Sequence, residues 1–495
     1  MLREQPLSAI VHPWLRSLRV AFVPGPERTP LLERFGVRWL ETFRALGHHV
    51  LEQPQGRVDC LFTTAPFGRP LNWRKALLFT ARRRWGLENT PTILTLVHAR
   101  PDAFHAMLDH FERALQRTPP DPEDFAFEGL APTAYQTLIE QGLRGGPILA
   151  LERLVQAQAK SIRVLLVVGE EEPQYAYLFD LVGAHPRVSA HLGDGFYRDL
   201  ALRVVTALST QEVTQHQVVG EPIPRAVWET LTTPQAMRRA AQELGRRNFF
   251  TRMVRIADLV HVPAVDEAVA SQYSEGCFAT WDPQISALIA TITGSARPVD
   301  KDNITENELA VIVGVRPDGK GARVRHVEGK RNDPPSSEAV EMMAMDEPLP
   351  RIHLIRPGPD GDSTSVEVPV ARSKLHGHRG IQAYDPRWVE FVPLDPPYYH
   401  YPVSCATEAQ ARGIRDAFAR SQALQHPEDP RKVVFTVLPG HGLVMVEKWD
   451  PDRAPFQLFW EYMDAGILQI DPRVPQGLFT YEPGDDGLHH LRLLE

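Results

Sequence analysis

The sequence predicts an α/β protein: two parallel-sheet α/β domains followed by a β-rich C-terminal domain. Three observations carry that expectation. Short apolar strands alternate with helix-period stretches in the first third, the pattern of βαβ units. The same alternation restarts at Ser161, and from about Glu347 the apolar segments shorten between Pro, Gly and Asp turns. A chain of 495 residues is also too long for one ordinary domain. The expected boundaries are 1–159, 160–345 and 346–495.

Taken in order, Arg19 to Pro24 (RVAFVP) reads as a buried strand entering a Pro-Gly-Pro loop. The helix-period stretch LLERFGVRWLETFRALG follows, closed by Gly47 just past its end. Val58 to Thr63 and Thr90 to Val97 read as further strands, and the loop Thr118 to Glu123 and the pair Gly145-Gly146 punctuate the end of this region.

In the second region Ser161 to Gly169 reads as a strand and QYAYLFDLVGAH as the helix after it. Thr233 to Phe250 has helical periodicity, and Ile256 to Val262 and Leu309 to Val315 read as strands. Between those strands, the apolar stretch Ile285 to Ile292 reads as helix-like.

The segment KRNDPPSSEAVEMMAMDEP reads as a linker, because apolar residues thin out and turn formers gather there. Beyond it, PRIHLIRP, TSVEVPVARS, WVEFVPL, KVVFTVLPG and HGLVMVEKW read as the strands of a barrel or sandwich, with helices at Ala406 to Gln422 and Phe456 to Gly466.

Composition excludes several classes. Hydrophobic content of 43% and charged content of 23% are those of a globular protein. A net charge of -8, with no long Lys/Arg stripe, argues against a nucleic-acid partner; Arg82-Arg83-Arg84 reads as a solvated helix face. Three scattered cysteines exclude a disulfide framework and a CxxC zinc module, and they fit a reducing compartment. With neither a signal-peptide pattern nor an apolar run of the roughly 20 residues that span a bilayer, the expectation is a cytoplasmic protein.

The most informative stretch is YSEGCFATWDPQISALIATITGSARPVDKD, from Tyr273 to Asp302. A carboxylate at each end of one helical excursion, Glu275 and Asp300, can meet in one cleft. There the pair would suit a divalent metal or move protons. Asp300 and Asp302 also read as turn acids or caps, and Asp302 or Asn303 is the better cap candidate. His441, set between Gly440 and Gly442, is the third candidate ligand, with a hairpin residue as its plain reading. His376 and His378, two apart, would face the same way on a strand, and with Trp281 they are the candidate substrate contacts. Cys277 reads as a small buried hydrophobe more than as a nucleophile.

The order of these parts resembles the L-fucose and L-arabinose isomerase group of ketol isomerases. The resemblance runs from about Ser161 onward and is carried by SEGCFATWDPQISALIATITGSARPVD, VDKDNITENELAVIVG and the terminal LPGHGLVMVEKWDPDRAPFQLFWEYMDAGILQID. The Trp281-Asp282-Pro283 insertion and the run His326 to Arg331 depart from it. The resemblance implies Glu275, Asp300 and His441 as Mn²⁺ ligands. It also implies that Glu275 and Asp300 carry a proton between C1 and C2 of an open-chain aldose through an enediol. The expected protein is thus a homo-oligomeric, metal-dependent sugar isomerase. A non-catalytic protein binding a sugar or polyol on the same scaffold, or a metal-dependent lyase or aldolase, is the alternative.

Overall fold

A computed structural model describes residues 12–25, 27–67, 83–116, 162–180, 185, 187–250, 276–294, 299–357 and 363–494. Glu275, the expected strand Ile256 to Val262 and the turns at 118–123 and 145–146 lie outside these residues. The protein is mixed α/β, and the described residues fall into two units: residues 12–210 with 400–404, and residues 211–399 with 405–494.

In the first unit one sheet has the order β2-β1-β3-β4-β5-β6-β7. Its strands are β1 (Arg19–Phe22), β2 (His49–Leu51), β3 (Cys60–Pro66), β4 (Thr92–Ala99), β5 (Ile162–Gly169), β6 (Pro173–Phe179) and β7 (Val188–Ser189). Pairing is parallel from β2 through β5. Helix α1 (Pro30–Ala45) starts at Thr29, whose hydroxyl accepts the Leu32 N–H, with Pro at the first helical position. Its buried stripe Leu32, Phe35, Trp39 and Phe43 recurs at helical spacing and packs on Phe62 of β3. Gly47 at φ 84° ends it, a conformation that costs glycine nothing. Helices α2 (Pro101–Gln116) and α3 (Asp194–Ser209) belong to the same unit.

Two expectations are corrected here. The strand at Ser161 to Gly169 does not open a second sheet; β5 pairs in parallel with β4. The described first part of QYAYLFDLVGAH is not helical either, since β6 runs antiparallel to β5 through Tyr175 to Phe179. Its aromatics alternate around Ala176 and Leu178, so period two prevailed over the short helical reading.

The second unit is built on a nine-stranded sheet ordered β17-β18-β19-β15-β9-β10-β11-β12-β8. These are β8 (Gln217–Val218), β9 (Cys277–Asp282), β10 (Ala287–Thr291), β11 (Leu309–Val315), β12 (Ala322–Arg325), β15 (Ala371–Gly377), β17 (Val389–Phe391), β18 (Val433–Leu438) and β19 (Gly442–Lys448). Strands β13 (Arg351–Pro357) and β14 (Ser363–Pro369) form a separate ribbon, and β16 (Gly380–Tyr384), β20 (Leu468–Asp471), β21 (Phe479–Pro483) and β22 (His489–Leu493) form a four-stranded sheet. Among its helices are α4 (Thr233–Arg246), α5 (Ser337–Ala344), α6 (Glu408–Ala419) and α7 (Gln457–Asp464). The expected boundary at 345/346 divides this sheet, because β15 hydrogen-bonds to β9. The second region is therefore not a parallel α/β domain: β9 to β12 are antiparallel.

The helix expected over Ile285 to Ile292 is the return strand of a β-hairpin, with Ala290 opposite Ala279 and Ala287 opposite Asp282. Asp282 Oδ1 accepts the N–H groups of Gln284 and Ile285 and closes the turn, with Ser286 at φ 47°. Trp281-Asp282-Pro283 is thus the turn signal itself. Among the described residues no helix is long and apolar enough to cross a membrane.

Candidate metal centre

Four side chains of the second unit converge: Glu338, His376, His378 and His441 each offer one ligand atom, all within 4.8 Å of one another. Two come from the C-terminal end of β15. His376 lies opposite Cys277 of β9 and Val444 of β19, and His378 follows two residues later, its ring 5.3 Å from that of His376.

His441 stands in the turn between β18 and β19, where Gly440 takes φ 71° and the His441 N–H bonds to Leu438 O. Its ring lies 5.0 Å from His376 and 4.7 Å from His378. The tight approach of β19 to β15 requires Gly442, since a Cβ there would sit 2.3 Å from Gly377 O.

Glu338 comes from α5, which covers the same sheet face. Ala339, Val340 and Met342 of this helix join Cys277, Ala279, Trp281, Leu288, Ala290 and Ile312 in one apolar cluster. Helical spacing leaves Glu338 in the first turn, where the helix dipole favours a carboxylate.

The hydrogen bonding prepares these atoms for a cation. His376 Nδ1 lies 2.9 Å from Leu443 O, so Nδ1 carries the proton that it donates there. Nε2 then faces His441 Nε2 at 3.2 Å and Glu338 Oε1 at 3.4 Å, and a proton or a metal ion must mediate between lone pair and carboxylate. Two nitrogens about 2.1 Å from one ion, at angles from octahedral to tetrahedral, stand about 3.0 to 3.4 Å apart. The observed separation falls in that range. A backbone carbonyl fixing the far nitrogen is the usual support of a metal-ligating histidine. The donor set therefore fits a divalent transition ion: nitrogen-rich, with one hard oxygen.

Burial, the largest influence on Glu338, would raise its carboxyl. His376, as charge and hydrogen-bond partner, with His378 and His441 beyond it, instead holds it well below the usual carboxylate range. Glu341, one turn on, is buried with Oε1 unpartnered; burial first, and then the Glu338 charge, push its carboxyl well above the ordinary value. The Cys277 thiol is pushed up to about 12, by burial foremost and then by Glu338. A thiol so raised stays protonated and is no nucleophile.

Of the residues singled out from the sequence, the structure brings His376, His378 and His441 together. Asp300 is not in the group. It closes its own turn, accepting the Asp302 N–H on Oδ1 and the Asn303 N–H on its carbonyl. The helix cap nearby is Thr305, in a capping box with Glu308. Trp281 is buried in the apolar cluster beneath α5, with Arg351 over its ring. It stands four residues from Cys277, about 13 Å along β9.

Glu338 was missed because it lies in the segment read as a linker. A signal was present: Ser336, an acid two residues on, then apolar residues at 339, 340, 342 and 343. Phe249 and Arg379, which flank the His-Gly-His segment, also line an open pocket of about 340 Å³ with Arg247, Asp464 and Gln469. Compared with protein-family models, curated proteins and solved structures, the chain has no significant match.

Proposed function

We propose that this protein is a mononuclear metal-dependent enzyme acting on a small hydroxy-carbonyl substrate, a sugar or polyol derivative. Glu338, His376, His378 and His441 would be its metal ligands. One observation carries the reading: three imidazoles and one carboxylate from three separate parts of the chain meet within 4.8 Å. A divalent ion there would act as a Lewis acid on a substrate oxygen; Mn²⁺ is one candidate, alongside Fe²⁺, Co²⁺ and Zn²⁺.

The chain supplies the rest. Leu443 O orients His376, Glu338 stays anionic at neutral pH, and Glu341, its carboxyl pushed well above the ordinary value by burial, lies one turn away. Aldose–ketose isomerisation, the reaction that the sequence resemblance implies, is the first activity to examine. In this reading Glu338 stands where Glu275 and Asp300 were expected.

The test is metal content by elemental mass spectrometry of wild type and Glu338→Gln, followed by product analysis with aldoses and ketoses. Near-stoichiometric metal that falls in the variant, with a single isomeric product, supports the isomerase. Two fragments would instead assign a lyase. Absence of metal from wild type after incubation with Mn²⁺, Co²⁺ or Zn²⁺ would sink the reading.

A further inference from the structure

Helix α5 is tied to β15 at two points, and only one of them is the metal centre. The second is Lys374, fully buried on the same strand face as His376 and two residues before it. Its Nζ donates to Met342 O at 2.7 Å and to the Asp346 carboxylate. In the last turn of a helix Met342 O has lost its usual partner, since the Asp346 N–H turns to Met343 O instead. Lys374 therefore caps the C-terminal end of the helix whose first turn carries Glu338, and a cation there also complements the helix dipole.

The two attachments match in length. Glu338 and Met342, four residues apart on a helix, are separated by about 6 Å along its axis. His376 and Lys374, two residues apart on a strand, are separated by about 6.6 Å. Glu338 meets His376 while Met342 meets Lys374, so the helix runs against the strand direction. The apolar contacts of Ala339, Val340 and Met342 hold the helix on the sheet. Being non-directional, they leave its position along β15 weakly defined. The hydrogen bonds of Lys374 supply the direction that those contacts lack.

We propose that Lys374, with Asp346, is a positioning residue for the metal centre: it sets the position of α5 along β15 and so delivers the Glu338 carboxylate to the three histidines. This rests on the metal-centre reading above. Lys374 touches neither substrate nor ion and acts through Glu338.

Co²⁺ affinity by competition titration, with the visible spectrum of the bound ion, tests it in the full-length protein. Lys374→Met alone leaves the Asp346 carboxylate buried without its cation and is open to misfolding. The decisive variant is therefore Lys374→Met/Asp346→Leu, because a buried ion pair is commonly replaced by an apolar pair without loss of fold.

The expected result is a roughly 10- to 100-fold weaker Co²⁺ affinity, the size of effect typical of groups that orient ligands. The spectrum should shift in the same direction as that of Glu338→Gln. Adding Glu338→Gln to the double variant should weaken binding no further, since the contribution it removes is already gone. Wild-type affinity in the double variant, or losses that add in full, would overturn the positioning role alone. No Co²⁺ binding by wild type would overturn the metal centre and the role of Lys374 with it.

Discussion

Strand β15 carries a carboxyl group against each of its faces, one largely and one fully enclosed, and the two behave oppositely. On the α5 face Glu338 meets three imidazoles and is held well below the usual range. On the reverse face Glu447, opposite Ser373, is fully enclosed and rises to about 7, with burial as the main cause. Ser373, the N–H groups of Phe456 and Leu458, and Arg372 lower it only in part, and Glu447 Oε2 has no partner. Burial is common to both, so the neighbours decide the sign. A carboxyl surrounded by imidazoles is a ligand, whereas one holding a loop by neutral donors keeps its proton. The αL conformation of Phe456, φ 71°, is what Glu447 secures on that side.

The largest test of this contrast removes a ligand. His376→Ala should lower metal affinity by more than the about 100-fold that is the upper end for changes outside the ligand set, as calorimetric titration would read. Retention of wild-type affinity would remove the metal-centre side of the comparison.

Next comes pH. Glu447 keeps its proton in the folded protein between its ordinary value, 4.5, and about 7, while the unfolded chain releases it. Its contribution to stability is therefore full below pH 4.5 and is lost as pH rises through 7, by about 3 kcal/mol at most. Glu447→Gln should flatten that slope in denaturant titrations at pH 5 and 8. Glu338 has the reverse sign: its contribution is present above pH 4.5 and lost in acid. Removing it by Glu338→Gln should cost the metal-free protein most stability at pH 7 and less at pH 3, the loss being complete only once pH falls through the depressed folded value. Equal pH slopes in the two variants would break the comparison.

A smaller effect is expected from Gly442→Ala, which drives a methyl group into Gly377 O. It should destabilise the fold by about 1 to 3 kcal/mol, the usual range for overpacking, and weaken metal binding by displacing His441. The smallest comes from Trp281→Phe. Its indole N–H is buried without a partner, and its ring stands well away from the histidines. Metal affinity and KM should stay at wild-type values; a raised KM would return Trp281 to the substrate site.

Much of this was legible in the chain. Gly47 marks the end of α1 because positive φ is a local property, and Thr29 and Pro30, which the sequence reading passed over, mark its start in the same local way. The strands β1, β3, β4 and β11 follow from short apolar runs, and the matched direction of His376 and His378 follows from the period of two. What failed had equally physical causes. Ile285 to Ile292 is apolar on both faces because it is a central strand, and such a run looks alike in strand and helix. Ahead of Glu338 the turn formers Asp333, Pro334 and Pro335 interrupt the apolar pattern, and the short α5 behind them passed for a linker. Asp300 fitted a ligand only while a helix was thought to join it to Glu275.

By itself, then, the sequence determined most of the strands, the helix α1 with its Gly47 end, and the presence of three histidines in β-rich surroundings. Each of these depends on residues within a few positions of one another. Only the tertiary structure decided that β15 inserts between β9 and β19, that α5 lies across that face, and that Glu338, rather than an acid near Asp300, completes the group. Strand order and helix docking are set by contacts between residues far apart in the chain, and no local pattern records which partner a buried face will find.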